Sequence, residues 1–378
     1  MQMKCSSRLL ASAGLVSLLA ACGSVSNAPT PSPLPVVDNQ AGLTTVWRAS
    51  AGGKTDFRFL PALAGDRLVV AGQPDRLSAL NLQNGASQWQ VKLDKPVAGG
   101  VGAGEGLIAV GTLKGEVATY SYDGKPMWHA QVSSEIVSPP AIADGIVLVR
   151  TVDGKISGLS AVDGALKWQF QRQLPALILR NYAPMTLRGG IALAGLAGGR
   201  LVALGAQDGR VLWDSPVAMP KGATELERIA DVVSAPEVNG NMVCAAAYQG
   251  RVSCFNVLNG TPVWSREVSS YAGVAGNNRM IAVTDADGNV LGYDRNSGRS
   301  LWKQDKLAAR LVGSPAMLGN YVAVADYQGY VHLLKPDDGS LVGQLATGGD
   351  RIAAEPVVFD NKLIVQSQNG DVFALAVK

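Results

Sequence analysis

The stretch Asp294-Arg295-Asn296-Ser297-Gly298-Arg299-Ser300-Leu301-Trp302 decides how the chain is read: a polar turn, a glycine, three residues and a tryptophan. Gly-x-x-x-Trp recurs at Gly85/Trp89, Gly124/Trp128, Gly164/Trp168, Gly209/Trp213 and Gly260/Trp264. Counted from Trp47, successive tryptophans are 42, 39, 40, 45, 51 and 38 residues apart. A period near forty, with short β-rich runs between turn glycines, is the signature of a propeller blade. A further copy, Asp337-Asp338-Gly339-Ser340-Leu341-Val342-Gly343, keeps the turn but has Gly343 where the tryptophan belongs.

Within one period the run after Ser314-Pro315 is followed by a turn at Gly319-Asn320. A second run covers residues 321–325, a third covers residues 330–334, and a fourth carries the tryptophan or its counterpart. Four short strands separated by tight turns predict one antiparallel sheet. The turn between strands two and three can be counted separately: Pro74-Asp75, Lys114-Gly115, Asp153-Gly154, Gly198-Gly199, Gln249-Gly250, Asp287-Gly288, Gln328-Gly329 and Asn369-Gly370. Eight blades are expected. The last has only three strands before Lys378, while residues 43–47 form a tryptophan-bearing strand with no predecessors. The predicted fold is therefore an all-β, eight-bladed propeller over residues 42–378, closed by the N-terminal strand completing the last blade, which removes the exposed edges. Each tryptophan is expected to fill the wedge between neighbouring blades rather than stack on a ligand, and each glycine to serve a turn rather than cradle a phosphate.

Function is sought where the repeat is interrupted. Two periods are lengthened, after Trp168 and after Trp213, both at connections from an outer strand to the next inner strand. Strand alternation puts both on one face, flanking the fourth blade. The first, residues 169–183, reads QFQRQLPALILRNYA and sets Leu174, Leu177, Ile178 and Leu179 beside Arg172 and Arg180. It reads either as a plug between blades or as a protein-binding surface with an arginine anchor. The second, residues 215–236, groups Glu225, Glu227, Arg228 and Asp231, with Thr224 as a candidate cap of a helical turn. It reads either as solvated surface or as part of the same contact.

The formal charge of the 378-residue chain is +3, of which Lys4 and Arg8 supply two, so no nucleic-acid partner is expected. Lys4, Arg8 and the apolar run over residues 9–21 read as a signal segment, too short to span a bilayer comfortably. Leu19-Ala20-Ala21-Cys22 resembles a bacterial lipoprotein signal, which implies removal of residues 1–21 and acylation of Cys22. Gly23, where an aspartate would imply inner-membrane retention, implies the outer membrane and its periplasmic side. Pro29, Pro31, Pro33 and Pro35 make residues 22–41 an extended tether.

Catalysis finds little to work with. The two histidines, His129 and His332, fall in different repeats at no metal-ligand spacing, and no nucleophile elbow, Walker loop or zinc-protease motif occurs. No catalytic residue, metal or cofactor is expected. Cys244 and Cys254 lie on adjacent strands of the fifth repeat. A two-residue turn would point their sulfurs apart, whereas a three-residue loop would set them opposite each other. Two buried thiols are the preferred reading, a disulfide the other.

The repeat phrase resembles the blades of pyrroloquinoline-quinone dehydrogenases, but the adjacent cysteine pair of those enzymes is absent here. The lipoprotein signal, the proline-rich tether and the segments Leu177-Ile178-Leu179-Arg180-Asn181-Tyr182-Ala183-Pro184 and Glu225-Leu226-Glu227-Arg228-Ile229-Ala230-Asp231-Val232 resemble the BamB family. These are propeller lipoproteins of the outer-membrane β-barrel assembly (BAM) complex. The resemblance implies a non-enzymatic scaffold that binds the POTRA domains of the BamA subunit through Leu177, Leu179, Arg180 and Asp231, and it allows contact with unfolded outer-membrane proteins. The family's second acidic contact falls on Val233. A quinoprotein-like periplasmic oxidoreductase and a peptide- or carbohydrate-binding propeller are the alternatives.

Overall fold

The second and third strands of each blade are buried on both faces. In blade seven, Tyr321–Ala325 reads YVAVA and Tyr330–Leu334 reads YVHLL, and in each only the first residue is partly exposed. Such runs suit sheets stacked against neighbours on either side. Outer strands differ: Pro126–Gln131 and Leu166–Gln171 each bury one residue, the tryptophan. The computed structural model describes residues 29–348 and 350–378, and Cys22 with the signal segment lies outside them. Pro31–Lys378 forms the body described below.

That body is eight four-stranded antiparallel sheets. Blades one to seven cover residues 62–92, 97–131, 141–171, 186–216, 237–267, 273–304 and 316–346. Blade eight is built from Val357–Phe359, Lys362–Gln366, Asp371–Ala376 and, as its outer strand, Thr44–Ser50, paired from Thr44 opposite Ala376 to Ser50 opposite Asp371. The expected closure is present.

The Gly-x-x-x-Trp phrase links each blade to the next. The indole Nε1 of every one of the seven tryptophans donates to a turn carbonyl of the following blade, at 2.6–3.0 Å, as Trp264 does to Arg295 O. The ring lies on that blade's turn glycine. A Cβ on Gly298, where φ is 65°, would stand 2.5 Å from Trp264 Cδ2, so both the conformation and the space exclude a side chain. Strand pairing slips beside the tryptophan, as between Gly292 and Tyr293, a bulge that re-aims the ring out of the ladder.

Closure also accounts for Gly343. Blade eight has no chain connecting its third and fourth strands, because the two ends of the body meet there, so a tryptophan at 343 would find no turn to cap. The N-terminal segment occupies that side instead. A Cβ on Gly343 would stand 3.3 Å from Asn39 Oδ1, Ala41 N–H donates to Val342 O (2.9 Å), and Gln344 Nε2 donates to Pro35 O (3.1 Å). Further along, buried Arg310 donates to Ser32 O (3.0 Å) and pairs with buried Asp326 at 2.6 Å, which His332 also meets at 3.2 Å. From Ser32 onward, the stretch expected to be a free tether is laid against blades six and seven.

Cys244 and Cys254 are opposite each other and joined by a disulfide, with Cα atoms 4.1 Å apart. This corrects the preference for two thiols. Ala247 N–H donates to Arg251 O (2.8 Å), so residues 248–250 make a three-residue loop rather than a two-residue turn, and Ala246 pairs with Val252, which fixes the register.

Candidate functional site

The two longest connections of the ring, residues 172–185 and 217–236, lie side by side on one face beside blade four. Val232 N–H donates to Leu196 O in blade four (3.1 Å). The Asn181 amide bridges Gly195 O (3.2 Å) and Val232 O (3.0 Å), tying both connections to that blade.

Asp231 is the centre of this junction, and only 1% of it is exposed. One carboxylate oxygen accepts Leu179 N–H at 2.7 Å and the other accepts Gly198 N–H at 2.9 Å. Its own carbonyl accepts Tyr248 N–H at 2.9 Å. Burial pushes its pKa up, and the two backbone donors pull it down without offsetting that rise. Asp231 faces inward as a clamp. Val233, at the other expected acidic position, is 9% exposed and turned into the same wall.

The clamp leaves Leu177 and Ile178 outside, 46% and 36% exposed, while Leu179 is half-buried. Exposed aliphatics on a connection tied at its base form a ridge, not a plug. Leu174 turns in, packing against Gly154, so the plug reading describes that residue alone. Arg180 is exposed, paired with Glu135 at 2.6 Å, and lies 5.8 Å from the Tyr182 ring centroid. In the second connection Thr224 caps a short turn. Its hydroxyl accepts Glu227 N–H (3.3 Å), and the Glu227 carboxylate returns to the N–H groups of Ala223 and Thr224. Those bonds hold Glu227 below the usual carboxylate range. Leu226 and Met219 are 65% and 62% exposed on this second connection.

Beside the ridge a hollow of about 290 Å³ is lined by Arg58, Leu179, Arg180, Val233, Tyr248 and Tyr271. Arg58 lies over the Tyr182 ring at 5.3 Å, and the Tyr248 and Tyr271 rings are 6.3 Å apart. Burial, and then Arg58, lowers the pKa of nearby Arg351. Glu355 is pushed up to about 7 by burial, with Ala235 N–H and Arg58 opposing. Arg58, Tyr248, Tyr271 and Arg351 escaped the sequence reading because they come from four separate connections. Their places relative to the repeat, just before an inner strand or at the turn between strands two and three, would have assigned them to this face. Among the described residues, His, Cys, Asp and Glu form no group of three or more able to hold a metal ion.

A family profile described as outer membrane protein assembly factor BamB matches residues 36–97 and 75–304. The outer membrane protein assembly factor BamB of Burkholderia pseudomallei is 41% identical over 370 residues, covering 96% of each chain. The crystal structure of BamB from Moraxella catarrhalis superposes with a TM-score of 0.81 at 27% identity, covering 88% of this chain and 99% of that one. The quinohemoprotein alcohol dehydrogenase of Comamonas testosteroni shares the fold, with a TM-score of 0.71 at 12% identity over 89% of this chain and 77% of its own.

Proposed function

This chain belongs to the family of outer membrane protein assembly factor BamB, and from that premise we propose that it is a non-enzymatic docking subunit of the outer-membrane β-barrel assembly machinery. In this reading an acyl group on Cys22 holds it to the periplasmic face of the outer membrane. The ridge of Leu177, Ile178 and Leu179, with Arg180, binds the POTRA domains of BamA and keeps them in a fixed attitude while client barrels are folded and inserted.

The observation that carries this reading is an exposed apolar ridge on a backbone already pinned by Asp231 and Asn181. A surface ordered before association loses little conformational entropy on binding, and Arg180 beside the Tyr182 ring supplies the residue types in which binding hot spots are enriched, with the aliphatics excluding water around them. The Arg180–Glu135 pair is solvent-exposed, so exchanging Glu135 for a partner's carboxylate costs at most about 1 kcal/mol. Asp231 is a positioning residue in this scheme, acting through Leu179.

The test is a titration of a soluble form beginning at Gly23 against the POTRA domains of BamA. Leu177→Asp and Arg180→Glu should each weaken binding at least ten-fold while thermal unfolding stays nearly unchanged, since exposed substitutions generally stay within about 0.5 kcal/mol. Absence of binding by the wild type, or equal binding by both variants, would refute the proposal.

A further inference from the structure

Arg150 ends the second strand of blade three, Ile146–Arg150, on the face that carries the two long connections. It is 7% exposed, and none of its three guanidinium nitrogens has a hydrogen-bond partner among the described residues. A desolvated cation without a counter-ion is strongly unfavourable, so folds that retain one ordinarily employ it.

Comparison along the repeat shows how unusual the position is. The residue in question precedes the carbonyl that accepts the N–H of the turn glycine, as Thr151 O accepts Gly154 N–H. In blades two, six, seven and eight the corresponding residues are Gly111, Thr284, Ala325 and Gln366. In blade two the space is filled by Ile136 from the next connection, which would meet a Cβ on Gly111 at 2.1 Å. After blade three the connection is long, and Leu179 N–H is drawn away to Asp231. Space remains beneath it, and Arg150 extends into that space.

The space is a cavity of about 60 Å³ walled by Arg150, Thr151, Lys155, Leu174, Ile178 and Asn181, among others. Lys155 already has Asp153 at 3.3 Å, and Arg172, also on the wall, has Asp214. The one carboxylate on the wall belongs to Asp231, whose two oxygens are taken by Leu179 and Gly198. Only the fork of Arg150 is unanswered.

We propose that this cavity binds a carboxylate carried on a short apolar stem, with the Arg150 guanidinium as its counter-ion. A guanidinium presents paired donors that match the two oxygens of a carboxylate. Leu174 and Ile178 supply the apolar wall for the stem. At roughly 10–15 Å³ for each water-sized occupant, the volume holds about four to six non-hydrogen atoms, the size of propanoate or of an aspartate or glutamate side-chain end. The inference stands on Arg150 and its cavity, whose wall shares Ile178 and Leu179 with the partner-binding ridge.

The test uses the full chain in detergent, titrated calorimetrically with sodium propanoate and, separately, with propanamide at matched ionic strength. Propanoate should bind at least ten-fold more tightly than its neutral isostere. Arg150→Met should lose that binding and melt at or above the wild-type temperature, because an unpaired buried charge has been removed. Should Arg150→Met fail to fold, Arg150→Lys keeps the charge without the fork and should bind propanoate more weakly than wild type. Equal binding of acid and amide, no binding of either by the wild type, or undiminished propanoate binding in a folded Arg150 variant would overturn the proposal. An acetylated, amidated Leu-Glu-Leu peptide separates the sources. Binding ten-fold tighter than propanoate assigns the site to an acidic side chain of a docked protein, whereas propanoate binding without peptide binding assigns it to a small free acid; both outcomes support the carboxylate site.

Discussion

Replacing Asp231 with alanine should loosen the ridge without removing any residue from its outer surface. The carboxylate accepts two backbone N–H groups, from Leu179 at 2.7 Å and Gly198 at 2.9 Å. Hydrogen bonds to a charged group contribute about 1.5–3 kcal/mol each. Burial raises the pKa of Asp231, so the ionised carboxylate carries a desolvation cost that alanine relieves. The net effect therefore belongs at the low end of the summed range, about 3 kcal/mol, or roughly a hundred-fold shift toward the released loop. The assay is hydrogen exchange. The amides of Leu179 and Gly198 should exchange about a hundred-fold faster, while those inside the third strand of blade four, Arg200–Gly205, stay protected. Affinity for the POTRA domains should fall by up to the same factor, and Asp231→Asn, which keeps one side-chain acceptor, should lie between. Lost binding with unchanged protection at Leu179 and Gly198 would refute the clamp and make Asp231 a direct contact.

Two further substitutions probe the ring and the face that carries the long connections. Gly298→Ala combines a left-handed backbone with overlap on Trp264 and should cost about 3 kcal/mol in chemical unfolding. The control is Gly106→Ala, where φ is 81° and nothing lies within 4 Å; it should cost only about 1 kcal/mol, and equal losses would mean that the indole contact is unimportant. For Glu355 the sign follows from its rise from 4.5 to about 7. Below pH 4.5 both states are protonated and the group contributes nothing. As pH climbs to 7 the folded state keeps a proton that the unfolded chain has lost, so stability falls, by on the order of 3 kcal/mol in all. Thermal unfolding between pH 4.5 and 7.5 should show a steeper decline in the wild type than in Glu355→Gln, where only groups such as Asp231 contribute; identical profiles would contradict the assignment.

The blade count, the closure by the N-terminal tryptophan-bearing strand and the wedge role of the tryptophans were legible in the sequence because a propeller repeats one local problem. Each sheet must bury both faces, turn three times and cap the next blade, so the same residue types return at a near-constant spacing. The face of the two long connections was legible too, since strand alternation alone decides it. Tertiary structure alone decided matters that depend on several connections at once. Asp231 and Leu179 are 52 residues apart in the chain, and whether that carboxylate points out to a partner or in to a backbone amide depends on how two loops settle against blade four. The Cys244–Cys254 pairing turned on a register set by a three-residue loop, residues 248–250. Gly343 became intelligible only once the chain ends were seen to meet in blade eight, and Arg150 only once the loop above it was seen to leave its place unfilled. Local pattern determines a repeat because every copy obeys the same nearest-neighbour physics; the departures from it depend on long-range contacts that no single period contains.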